Sequence, residues 1–342
     1  MCKKYIEFIV LNLIYKFLCL INRQVKVVLA CNFERDIYLN LTCLYNQLLE
    51  KDIGKKTEFL LSNSKTILSL LKQLWFFSKS KIIFVDCSHW VVSKLRINPN
   101  TKLIYVGHGG GVYKKMGYAA NHDRKIPDFK KKLLYGQFSY VVATTKNFDQ
   151  QICLNYSLDP DQILHIGLPR TDMLFSSPPA YSSNKKLLLA PSFIREKGVR
   201  RYQWDFNKLK YILSSYEVWI SLHPDVQQRP LIPENWKVFD STTHYEDLRD
   251  FDILITDGSS IMFDFSITKK PVILFDFSIR KNIWSDVKLE GLNIVHDYSD
   301  LKLMIDSNSL IHSDLLYRNQ MSCCTGKSSK KLINFSIGLY NE

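Results

Sequence analysis

Residues 252–275 read DILITDGSSIMFDFSITKKPVILF. A strand-like apolar run, Asp252–Thr256, gives way to a turn, Asp257-Gly258-Ser259-Ser260, then to a helix-like stretch, then to a second apolar run, Pro271–Phe275. Short β-rich runs separated by a helix-like segment predict parallel strands joined by a crossover helix. Gly258 permits a sharp turn. Ser259 or Ser260 can cap the helix while hydroxyl and N–H groups face a phosphate, and Asp257 serves at least as a turn residue.

The same alternation extends in both directions. Upstream in the same half lie Lys186–Ala190 and Glu217–Leu222; in the first half lie Val25–Ala30, Lys81–Val85, Leu103–Val106 and Tyr140–Ala143, with helix-like segments at Tyr38–Leu49 and Asn147–Leu154. Between the halves, Ser176–Lys186 (SSPPAYSSNKK) reads as a linker. The chain is therefore expected to be α/β, with an amphipathic N-terminal helix in residues 1–24, one domain over 25–178 and a second over 186–342. Its 342 residues suit two domains at roughly 150 residues each, and 46% hydrophobic residues supply two cores. Thirteen glycines and 11 prolines exclude disordered and collagen-like classes.

Forty-six Lys and Arg against 33 Asp and Glu leave a formal charge of +13, which favours polyanionic partners: nucleic acid, anionic lipid or phosphorylated substrates. Eight scattered cysteines, with no C-x-x-C, fit a reduced cytoplasmic protein. Residues Tyr5–Ile21 are apolar but interrupted by Glu7 and Lys16, short of the ~20 clean residues that span a bilayer. Two readings remain for them: a helix lying on the membrane surface with Lys3, Lys4, Lys16 and Arg23 at the headgroups, or a first helix packed on a sheet.

In open parallel sheets ligands bind beyond the carboxyl ends of the strands, so those positions are the candidates. Residues 107–118, GHGGGVYKKMGY, follow the Leu103–Val106 strand. Glycines around His108 let the backbone turn tightly and bring amides near an anion, with Lys114 and Lys115 adding charge. The spacing matches neither the dinucleotide-binding fingerprint nor a Walker A loop. His223, followed by Pro224, ends the Glu217–Leu222 strand and faces extended from its tip. Ser192 and Arg195 follow Lys186–Ala190. Asp159/Asp161 and Asp250/Asp252 have the D-x-D form of metal-dependent sugar transferases, a pattern common by chance, and no metal is expected.

Taken together these boxes resemble the CDP-glycerol glycerophosphotransferase family of teichoic-acid primases and polymerases. His108-Gly-Gly-Gly-Val-Tyr-Lys-Lys-Met-Gly117 is similar to a family box, as are Gly167-Leu-Pro-Arg170-Thr-Asp172, Ala190-Pro-Ser-Phe-Ile-Arg195, His223-Pro224 and Ile255-Thr-Asp-Gly-Ser-Ser-Ile-Met-Phe-Asp-Phe265. Gly258 stands where the family commonly has Tyr, Phe193-Ile194 replaces an aromatic-Arg pairing, and Lys330 takes the place of a C-terminal Arg. The resemblance implies a GT-B fold, two Rossmann-like domains facing across a cleft. It further implies transfer of glycerol or ribitol phosphate from a CDP-polyol to a hydroxyl of a lipid-linked or polymeric glycan, with release of CMP, in teichoic acid or capsule synthesis. His108 and His223 would be catalytic; Gly109, Gly110, Lys114, Arg170, Ser192, Arg195, Asp257, Ser259, Ser260 and Lys330 would bind substrate. No cofactor or nucleic-acid partner is implied, and the enzyme would work from the cytoplasm on the anionic inner membrane face. A GT-B glycosyltransferase using a nucleotide sugar and a basic, non-enzymatic membrane or nucleic-acid binding protein are the competing readings.

Overall fold

The computed structural model describes residues 2–31, 39–61, 66–87, 89–107, 109–120, 128–176, 185–196, 199–223, 226, 230–276 and 283–341. Two six-stranded parallel sheets organise them. The first contains β1 (Lys26–Cys31), β2 (Thr57–Leu61), β3 (Ser80–Val85), β4 (Lys102–Tyr105), β5 (Tyr140–Val142) and β6 (Ile163–Leu164), in the order β2-β1-β3-β4-β5-β6. Helices α1 (Cys2–Ile21), α2 (Leu39–Leu49), α3 (Ile67–Ser78), α4 (Asp128–Tyr135) and α5 (Asp149–Tyr156) accompany it.

The second sheet is built from β7 (Lys186–Ala190), β10 (Glu217–Ile220), β11 (Lys237–Val238), β12 (Ile253–Thr256), β13 (Val272–Phe275) and β14 (Asn293–Val295), in the order β11-β10-β7-β12-β13-β14. Between β7 and β10 a separate antiparallel hairpin, β8 (Ile194–Glu196) and β9 (Val199–Arg201), leads into α6 (Phe206–Ile212). Helices α7 (Ile261–Ser266), α8 (Tyr298–Ser307), α9 (Asp314–Gln320) and α10 (Ser328–Asn341) complete the chain.

The central strands are apolar throughout because helices cover both sheet faces. All four residues of β12, Ile253 to Thr256, are buried, as are Val27 to Cys31 of β1. Registers such as Val28↔Ile83 and Ile255↔Leu189 place these side chains in level rows. Each fully buried aliphatic residue contributes about 1.5–3 kcal/mol, so this burial holds the strand ends in place.

Two elements depart from the expected layout. Helix α10 does not stay with the second domain: Leu332, Ile333 and Leu339 join the core formed by β1, β3, β4 and α2. Lys81 Nζ donates to the Tyr340 carbonyl at 2.6 Å and the Tyr340 hydroxyl donates to the Val25 carbonyl at 2.9 Å. The expected 186–342 unit thus gives its last helix back to the first domain. Helix α1 packs on the first domain with only one of its faces. Leu11 and Tyr15 are buried in the first domain's core, while Leu13, Phe17, Leu20 and Ile21 are more than half exposed. No helix among the described residues is long and apolar enough to cross a membrane.

Candidate active site

The loops that leave β4 and β12 touch. A Cβ on Gly109 would stand 3.0 Å from the Ser260 Cβ, and one on Gly110 would stand 2.7 Å from Met321 Sδ and 2.9 Å from Asp264 Oδ1. Gly111, at φ +72°, lies so close to the Phe263 ring that a Cβ would come within 2.6 Å of it. These glycines are therefore needed twice over at 111: for a left-handed conformation that L-residues avoid and for the room that lets one domain's loop lie on the other's helix. The sequence pattern is thereby explained as an interdomain seat.

Hydrogen bonds fix the seat. Val112 N donates to Gln320 Oε1 at 2.7 Å, Gly111 N to Thr144 Oγ1 at 3.2 Å, and the Thr144 hydroxyl to the Gln320 carbonyl at 2.7 Å. On the other flank, Asn40 donates to the Gly107 carbonyl at 2.9 Å and accepts from Arg170 N at 3.0 Å. The loop is held on both sides of residue 108. His108 itself lies outside the described residues.

Arg170, expected to bind substrate, sits in an ion pair between the domains. Its Nη2 lies 2.7 Å and its Nε 3.2 Å from Asp264 Oδ2, with side-chain exposures of 11% and 5%. Burial acts to lower the guanidinium's pKa, and the Asp264 carboxylate more than reverses it; burial raises the Asp264 carboxyl, and Arg170 opposes that rise. Asp264 Oδ1 is buried without a hydrogen-bond partner, beside Gly110. Asp172 of the same box caps α10, accepting from Ser328 N and Ser329 N at 2.8 Å.

The remaining candidates cluster at the carboxyl ends of three neighbouring strands, β10, β7 and β12. His223 follows β10, exposed, its backbone N–H donating to the Tyr202 hydroxyl at 2.7 Å and its ring 4.8 Å from that of Phe193. Ser192 N donates to Asp257 Oδ1 at 2.5 Å, and Trp204 Nε1 donates to Asp257 Oδ2 at 2.9 Å. Asp257 is thus occupied by protein donors; burial raises its carboxyl and these two bonds oppose the rise. Ser259 and Ser260 are half-buried, with Ser259 N donating to the Thr256 hydroxyl at 3.0 Å.

The other three candidates lie on separate elements. Lys114 is exposed in an isolated bridge to Ile283 that joins the domains, Lys330 is exposed in the first turn of α10, and Arg195 is in β8 with its side chain outside the described residues. The D-x-D pairs have local duties instead: Asp252 accepts from Lys186 N at 2.8 Å, and Asp159 N is capped by Gln162. Among the described residues no group of three or more His, Cys, Asp or Glu side chains gathers as a metal cluster. Asp264, Gln320, Tyr202 and Trp204 were missed as site residues. Asp264 alone carried a signal, a carboxylate inside the apolar run IMFDFS.

Comparison with known proteins matches the family model "CDP-Glycerol:Poly(glycerophosphate) glycerophosphotransferase" to residues 26–283. A teichoic acid poly(ribitol-phosphate) polymerase of Bacillus spizizenii is 24% identical over 266 residues, 70% of this chain and 43% of the relative. A teichoic acid glycerol-phosphate primase of Bacillus subtilis is 27% identical over 225 residues, 59% of this chain and 57% of the relative. The chain thus spans about half the length of these two relatives. Among solved structures, the wall teichoic acid polymerase TagF superposes with a TM-score of 0.71 at 16% identity, covering 99% of this chain and 97% of that one. A UDP-GlcNAc 2-epimerase from Methanocaldococcus jannaschii superposes at 0.55 and 13% identity, covering 91% of this chain and 99% of that one. The fold is GT-B, with two Rossmann-like domains. On the match across residues 26–283, the chain belongs to the CDP-glycerol:poly(glycerophosphate) glycerophosphotransferase family.

Proposed function

We propose that the chain transfers a polyol phosphate from CDP-glycerol or CDP-ribitol to a hydroxyl of a lipid-linked or polymeric glycan, releasing CMP. The observation that carries this reading is the contact of Gly109 with Ser260, which brings the loop bearing His108 onto the turn that suits a phosphate. An alcohol is too weak an acid to attack phosphorus unaided. In this reading His108 takes the acceptor's proton as its oxygen bonds to the β-phosphorus of the donor. The bond from that phosphorus to the bridging oxygen breaks, and the electron pair leaves with CMP. Charge growing on the phosphoryl oxygens is met by His223 from β10 and by the Ser259 and Ser260 hydroxyls. No metal ion or cofactor enters the scheme.

The acceptor side faces a membrane in this proposal, for teichoic acid or capsule synthesis at the cytoplasmic face. Leu13, Phe17, Leu20 and Ile21 of α1 and Ile67, Leu68, Leu71 and Trp75 of the neighbouring α3 are all exposed. Lys16, Arg23 and Lys72 accompany them, a composition suited to an anionic lipid surface.

The test is CMP release from CDP-glycerol and CDP-ribitol by purified protein with a membrane-extract acceptor, with and without EDTA. CMP from one donor, unaffected by EDTA, is expected. No CMP from either, but UDP or GDP from nucleotide sugars, would overturn the reaction while leaving the fold.

A further inference from the structure

The hairpin β8–β9 belongs to neither sheet, yet both of its ends are fixed to one carboxylate. Asp257 takes the backbone N–H of Ser192 on the segment entering the hairpin and the indole N–H of Trp204 on the segment leaving it. Between these anchors, each end contributes one side chain to His223. Phe193 places its ring edge-on to the imidazole, 4.8 Å between centroids at 70°, and the Tyr202 hydroxyl accepts the His223 N–H at 2.7 Å. Arg200, from β9, lays its guanidinium over the same Phe193 ring at 5.0 Å.

We propose that Asp257 is a positioning residue: through Ser192 and Trp204 it closes the base of the hairpin, and the hairpin, through Phe193 and Tyr202, sets the His223 imidazole at the end of β10. This assigns Asp257 a task other than the substrate contact expected from its sequence box, and gives Phe193, Tyr202 and Trp204 tasks that no family box assigns. It rests on the reading in which His223 stabilises the transferring phosphoryl group.

Three facts make the clasp more than ordinary packing. Asp257 is half-buried, and both of its oxygens are spent on the two ends of one excursion, so its carboxylate acts as a cross-link across Ser192 to Trp204. His223 is exposed and lies three residues beyond the end of β10, so burial does not fix its direction and the ring of Phe193 and the hydroxyl of Tyr202 bear on it there. Asp257 also stands two residues before Ser259. One carboxylate therefore references both the imidazole and the hydroxyl turn to the end of β12, and a phosphoryl group meeting both needs them held within a fraction of an ångström.

The clasp is tested with full-length protein, histidine-labelled for NMR, comparing Trp204→Phe, Tyr202→Phe and Asp257→Asn. Trp204→Phe removes the indole N–H and keeps a smaller aromatic ring facing Phe275, at the cost of some buried volume. The His223 resonance is identified by its loss in His223→Gln. The expected result is that Trp204→Phe and Tyr202→Phe shift that resonance and leave other histidine signals in place. Turnover of the CDP-polyol falls about tenfold with KM changed less than twofold in both; thermal stability is nearly unchanged in Tyr202→Phe and is lowered in Trp204→Phe by the lost indole volume. An unmoved His223 signal with turnover within twofold of the parent would overturn the clasp. If instead the signal moves but His223→Gln turns over normally, the clasp stands and the assigned role of His223 fails, so the two ideas part experimentally. Should Asp257→Asn fold poorly, the two ring-conserving variants decide the matter alone.

Discussion

Asp86 and Asp257 occupy equivalent places in the two domains. Each directly follows a strand at the point where the sheet order reverses, between β1 and β3 in the first sheet and between β7 and β12 in the second, the crevice where such sheets bind ligands. Their surroundings differ completely. Both oxygens of Asp257 accept bonds, from Ser192 N beyond β7 and from Trp204 Nε1 beyond β9, whereas both oxygens of Asp86 are buried with no hydrogen-bond donor at bonding distance among the described residues. The second domain braces its own strand ends through a carboxylate. The first domain does not, and the loop after β4 is held by Asn40 and Thr144 of its own domain and by Gln320 of the opposite one, and lies against Ser260, Phe263 and Met321. The difference teaches that the loop after β4 is completed where the domains meet, while the ends of β7 and β12 are tied within one domain.

The variant expected to have the largest effect tests whether the loop after β4 carries the chemistry. His108→Ala should cost on the order of 10²–10⁴-fold in CMP release with the thermal transition unchanged; near-normal turnover in a folded variant would remove the base assignment. Next comes the strut behind the loop. Asp264→Ala leaves the Arg170 guanidinium buried and uncompensated, and breaking a buried pair from one side costs about 3–5 kcal/mol, readable by denaturant unfolding. A loss under 1 kcal/mol would mean that the domains are not held by this pair. Gly111→Ala forces a Cβ at φ +72° against the Phe263 ring and should cost about 1–3 kcal/mol, with turnover falling further than that of a matched substitution at exposed Gly338, where a Cβ would meet nothing within 4 Å. Equal effects at the two glycines would contradict the interdomain seat.

Legibility followed burial. The strands β1, β3, β4, β5, β7, β10, β12 and β13 were readable because two covered faces demand an unbroken apolar run, and the glycine and serine turns were readable because they follow such runs. The two-residue strands β6 and β11, the latter fully exposed, carry no period to detect. The hairpin IREKGVRR is polar, so its composition reads as loop. Helix α10 has the apolar spacing of a packed helix, but spacing cannot say which of two cores receives it. The same limit applied to Arg170: its box was visible, while its partner lay 94 residues away in the other domain.

The unpartnered aspartate supplies the smallest effect and the most direct test of the comparison. Burial pushes the Asp86 carboxyl from 3.8 up to about 7, with the neighbouring Cys87 thiol only partly opposing it. The folded protein therefore holds that proton to near neutral pH while the unfolded chain releases it near 3.8. Stability from this group is full below the unfolded value and is lost as pH rises through the folded one. Asp86→Asn abolishes the ionisation. Because the amide leaves its own N–H groups without partners, the net gain at about pH 8 should be on the order of 1 kcal/mol, seen as a small rise in the melting temperature that disappears near pH 4. Asp257→Asn should show no net gain at any pH: burial leaves its carboxyl raised too, but the amide can accept only one of the two bonds, so that one of Ser192 N and Trp204 Nε1 would face an amide N–H instead. A stabilising Asp257→Asn, or an Asp86→Asn indifferent to pH, would erase the distinction between the braced and the unbraced domain.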